Sequence, residues 1–125
     1  MDSQPLAVVF LVVMAGATAC FWAAFARRKT TPRHVRLAIT GAAIDLVGTV
    51  CVIVTARVLD WKVPAQFPAV ARVHRVCAYV VSAWLVVQVV SGVLRLPLHR
   101  ASGRPFLALY TATYALAVWA YSPWW

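Results

Sequence analysis

Residues 35–59 read VRLAITGAAIDLVGTVCVIVTARVL. At 1.5 Å per residue, a helix over this stretch is long enough to cross a hydrocarbon core of about 30 Å, and Asp45 falls roughly 15 Å from its start, near the bilayer centre. Ala38, Gly41, Asp45, Gly48, Val52 and Thr55 recur at alternating spacings of three and four, so they share one helix face. Small residues in that register let a second helix approach closely, and Asp45 lies on the resulting seam. A lone charge at this depth is expensive, so Asp45 is expected to be protonated and bonded across the seam, hydrogen-bonded, or paired with a base.

Working outward, three further apolar runs occupy 5–26, 68–96 and 105–121, the last only just long enough to span. Short, proline-containing connections separate them: Thr30-Thr31-Pro32, a second from Pro64 to Pro68, and a third from Pro97 to Pro105 with Gly103. Such links make sequential helices antiparallel neighbours. The fold expected is therefore all-α, a single integral membrane domain forming an up-down four-helix bundle. The composition agrees, with 63% hydrophobic residues, 12% charged residues and a mean hydropathy of +0.80. A water-soluble domain carries about a quarter charged residues, which excludes a cytosolic enzyme. The first run is read as a start-of-chain anchor and not a cleaved leader, because Asp2 precedes it and Arg27-Arg28-Lys29 follow it.

The net charge of +9 would point to nucleic acid in a soluble protein. Here the bases lie between apolar runs, where they orient spans and meet anionic headgroups, and no basic groove or face is present; the partner is the lipid bilayer. Arg27, Arg28, Lys29, Arg33 and Arg36 crowd the first connection and Arg95, Arg100 and Arg104 the third, whereas the second holds only Arg57, Lys62, Arg72 and Arg75. The excess of bases places the first and third connections in the cytoplasm and both termini on the non-cytoplasmic side. Trp61, Tyr121, Trp124 and Trp125 cluster on that outer side, as an interfacial aromatic belt does.

In the third run His74, Ala78, Val81, Leu85, Gln88, Gly92 and Arg95 form one inward stripe. Gln88 is the expected partner of Asp45, with Ser82 and Trp84 as competitors and the tyrosines of the fourth run, Tyr110, Tyr114 and Tyr121, able to complete a network. A proton or ion pathway around Asp45 is a further reading, weakened by the lack of a second titratable group at that depth.

The histidines split. His34 and His99 lie at the cytoplasmic ends of the second and third helices, where they offer axial ligands to a b-type haem or stand as solvated interfacial residues. His74 enters the third helix from the other side, in the company of Arg57, Arg72 and Arg75, which suit a lipid phosphate, a haem propionate, a quinone oxygen or a partner's carboxylate, or snorkel to the headgroups. With Cys77 and Cys51 at similar depth, His74 admits a copper or zinc site, although buried apolar cysteines are the commoner outcome. No CxxC or CxxCH is present, and the only acids are Asp2, Asp45 and Asp60, so paired-carboxylate catalysis has no candidates in one place.

Several of these elements occur in an order that resembles a family of small bacterial four-span membrane proteins, some of which act as cytochrome c oxidase assembly factors. The matching elements are Arg33-His34-x-Arg36, Arg57, His74, His99-Arg100-x-x-Gly103 and Tyr121, over about 90 residues. The resemblance implies a link with haem and copper oxidase biogenesis and carries over no catalytic residue. Many members have a histidine near the position of Arg57, a glycine-containing loop after the second helix, a tryptophan in place of Tyr110 and a Thr-Gly pair at Leu116-Ala117. These departures count against a metal site shared between the second and third helices. The expected function is a non-catalytic accessory or assembly subunit of a respiratory electron-transfer complex in the bacterial inner membrane, partnered by other subunits. The alternative is a b-type cytochrome.

Overall fold

The computed structural model describes residues 4–60 and 63–122, which places Trp61, Trp124 and Trp125 of the expected aromatic belt outside the described residues. These residues form four α-helices: α1 Gln4–Ala26, α2 Thr31–Arg57, α3 Pro68–Val93 and α4 Pro97–Tyr121. Proline stands in the first turn of α2, α3 and α4, where the missing N–H has no helical partner to lose. Helix α3 ends in a Schellman turn, with Leu96 N–H donating to the Ser91 carbonyl and Arg95 N–H to that of Gly92.

The third connection is much shorter than its prolines and glycine indicate. It comprises residues 94–96, and α4 continues through Gly103 and Pro105. Pro105 removes a single backbone hydrogen bond, and the segment stays helical because Phe106, Leu107 and Tyr110 beyond it are buried. His99 therefore belongs to the first turn of α4 and not to the end of the third helix.

Helices α1, α2 and α3 are long and apolar enough to cross a membrane. Helix α4 is 25 residues long, but its first turns carry Arg100 and Arg104. Helix α1 packs along α2 and α3 along α4, and the two hairpins meet through α1 against α4. Helices α2 and α3, adjacent in sequence, barely touch. The reason lies in the central aromatics: Phe21, Val81, Phe106, Leu107 and Tyr110 converge on one core, with the Phe21 ring edge-on to Tyr110 at 4.8 Å and to Phe106 at 5.8 Å. The outward faces are apolar, among them Val12, Leu46, Val47, Val76 and Val86.

Candidate functional site

The centre of the bundle holds one acid, and its partner is on α4. Gly41, Asp45 and Gly48 are the buried residues of α2, which is the middle of the seam read from the sequence. The Tyr110 hydroxyl donates to Asp45 Oδ1 at 2.5 Å. Gln88 does not meet Asp45, because α2 and α3 are not packed together; its Nε2 donates instead to Ser102 Oγ at 2.6 Å. Ser102 in turn donates to the Leu98 carbonyl. Trp84 lies against Phe106, at 6.2 Å between ring centres.

At the basic end, His34 and His99 come together although they lie on different hairpins. Their ring centres are 5.9 Å apart and their planes 71° apart. The Nδ1 of His34 contacts the Ala24 carbonyl at 2.8 Å, and the Nδ1 of His99 contacts the Gln88 carbonyl at 3.0 Å. A carbonyl only accepts, so each Nδ1 carries the proton and donates it, and in the neutral ring the lone pair is left on Nε2. Both bonds staple a hairpin, α2 to α1 and α4 to α3. Gly92 is what allows the second: a Cβ there would lie 3.0 Å from both Cε1 and Nδ1 of His99.

At the other end, the Nδ1 of His74 donates to the Thr113 carbonyl at 3.0 Å, and its ring stands edge-on to Tyr121 at 5.8 Å. Gln66 N–H donates to the Ala120 carbonyl, which ties the second connection to the end of α4. Arg57, Arg72 and Arg75 are exposed. Cys51 is exposed on α2, while Cys20 and Cys77 are partly buried free thiols. Among the described residues no group of three or more His, Cys, Asp or Glu is placed to hold a metal ion, so His74, Cys77 and Cys51 are not brought into one site. The weak packing of α2 on α3 accounts for this.

No family model, curated protein or solved structure matches the chain.

The residues of interest therefore rest on geometry alone. Of the positions singled out in the sequence, His34 meets His99 and Asp45 meets a tyrosine of the fourth run, whereas Gln88 and His74 serve the α3–α4 hairpin. Sequence reasoning passed over Ser102, which looked like part of a loop, and Gly92 in its role as the seat of His99. A glycine one helical turn after a buried Gln88, facing the connection, was the available signal. Trp22 Nε1 donating to Thr111 Oγ1 at 3.0 Å is a second bond between hairpins that no periodicity marked.

Proposed function

We propose that this chain is a four-span protein of the bacterial inner membrane, with both termini outside, that acts as a non-catalytic accessory or assembly subunit of a respiratory electron-transfer complex. The observation that carries this reading is the use made of the buried polar groups. Tyr110 with Asp45 and Gln88 with Ser102 bond helix to helix inside the bundle, while apolar faces of α2 and α3 point outward, free to meet lipid or other subunits. Two packed hairpins with large outward faces suit a part that is held within an assembly. The order of basic residues, histidines and Tyr121 that resembles the oxidase assembly-factor family supports the same class of complex.

Purification of the tagged full chain in mild detergent, with proteomics and metal analysis on one sample, tests the proposal. Stable co-purification of haem–copper oxidase subunits is the expected result, and isolation of the chain alone from well-solubilised membranes contradicts it. A second reading, a b-type cytochrome with His34 and His99 as axial ligands, draws on the approach of those two rings. A visible spectrum of the chain separated from any co-purifying subunits distinguishes the two, since a Soret band carried by the chain alone belongs only to the second.

A further inference from the structure

We propose that Arg95 and Arg100 hold the phosphate of an anionic membrane lipid in the hollow beside the α3–α4 turn. The inference rests on the proposed bilayer placement and not on the subunit role. Arg95, Leu96, Pro97, Arg100 and Ala101 line an open hollow of about 520 Å³, a size that suits a small-molecule group. Two arginines thus share one concave surface, and a guanidinium presents the paired N–H donors that match phosphate oxygens. Pro97, Arg100, Ala101 and Arg104 recur at spacings of three and four, so Arg104 stands one helical turn further along the same stripe of α4.

Among the described residues no acid neutralises these charges. Asp45 is bonded to Tyr110 at the bundle centre, and Asp60 lies in the second connection, at the opposite end. Arg28, also at the basic end, donates to the Phe25 carbonyl and lies 4.5 Å over the Phe25 ring, whereas neither Arg95 nor Arg100 has a hydrogen-bond or ring partner among the described residues. The backbone gives a second, independent sign. Arg95 sits at φ 53° in the Schellman turn, where glycine is the strain-free resident. The fold alone favours glycine at this position, and what the arginine adds is a positive charge beside the hollow.

The same surroundings select the class of ligand. Val93, Leu94, Leu96 and Leu98 are exposed around the turn, so apolar surface surrounds the two cations. A free anion uses only the arginines. An amphiphile uses both parts, with its phosphate on Arg95 and Arg100 and its acyl portion over the leucines. A zwitterionic headgroup brings its own cation against two arginines that no nearby acid offsets, so a headgroup without an ammonium, such as phosphoglycerol, is preferred.

Native mass spectrometry of the full chain, purified in detergent and offered phosphatidylglycerol and phosphatidylcholine with matched acyl chains, tests the site. One tightly held phosphatidylglycerol per chain is expected, favoured over phosphatidylcholine at least about 10-fold. Arg95→Gly and Arg100→Gln are the decisive variants, since glycine suits the turn and both positions are exposed. Each is expected to lower the affinity at least about 10-fold with helix content unchanged. Arg36→Gln removes one charge from the same end, two residues from His34 and so on the far side of α2, and is expected to leave binding unchanged. Equal losses in all three variants assign the attraction to diffuse charge, and equal retention of the two lipids denies the preference; either result overturns the proposal. So does displacement of the lipid by glycerol phosphate at the same concentration, which reduces the hollow to a site for free anions. Release of a co-purifying subunit by Arg95→Gly and Arg100→Gln, with phosphatidylglycerol still bound, gives the hollow to an acidic protein segment and likewise overturns it. Insertion is measured separately, by flotation of the reconstituted chain with vesicles of each lipid. A chain that floats with neither contradicts the bilayer placement, whereas one that floats with both and shows no lipid preference contradicts this site alone.

Discussion

The Tyr110 hydroxyl of α4 donates a hydrogen bond to Asp45 Oδ1 on α2, at 2.5 Å, and joins the two hairpins near their middle. Both residues are buried, so neither group has water to fall back on. Tyr110→Phe strands the carboxylate and is expected to lower stability by about 1–2 kcal/mol. Removing the acid as well, in Tyr110→Phe with Asp45→Ala, is expected to recover part of that loss, because no polar group is then left without a partner. Thermal unfolding in detergent across the double-mutant cycle measures the coupling, and additive losses would contradict a direct bond.

The glycines of the bundle are expected to respond in two opposite ways to alanine. At Gly41 a Cβ lies 3.0 Å from Phe21 Cε1 and 3.1 Å from Cys20 Cβ, and Phe21 is wedged between Phe106 and Tyr110. Gly41→Ala is expected to destabilise by about 1–3 kcal/mol through overpacking. At Gly16 and Gly103 a Cβ meets nothing within 4 Å, and alanine there is expected to stabilise by up to about 1 kcal/mol through helix propensity. Melting temperatures of the three variants give the order directly; a Gly41→Ala protein as stable as Gly103→Ala would mean that the α1–α2 seam is looser than described.

Arg95 occupies the left-handed position of the turn after α3, with φ 53°, where glycine is the usual resident. Arg95→Gly is expected to raise stability by about 1 kcal/mol, and Arg95→Ala to give no such gain, which separates the backbone effect from the loss of charge. Equal responses of the two variants in a thermal melt would assign the effect to charge.

Much of this architecture is legible in the sequence, because hydropathy and small-residue spacing report directly on which face of a helix is buried. Gly41, Asp45 and Gly48 are buried as their register requires, and Val81 and Gln88 likewise on α3. Val52, on the same seam, is 42% exposed, since only the middle of α2 faces the core. What periodicity does not encode is which helix comes to meet a given face. Connection length made α2 and α3 look like neighbours and Gln88 look like the partner of Asp45, whereas the bulk of Phe21, Phe106 and Tyr110 brings α1 and α4 together and hands Asp45 to Tyr110. The start of α4 was hidden for a related reason. Pro97, Gly103 and Pro105 are turn residues by local preference, and burial of Phe106 and Leu107 overrides them.

Side-specific labelling of introduced cysteines in intact cells tests most directly the proposed fourfold crossing of the bilayer. In a chain freed of its own cysteines, Gln66→Cys in the second connection is expected to react with a membrane-impermeant maleimide from outside. Lys29→Cys in the first connection and Leu96→Cys in the third are expected to react only after the membrane is opened. Labelling of all three positions from the same side would contradict a four-span bundle with both termini outside.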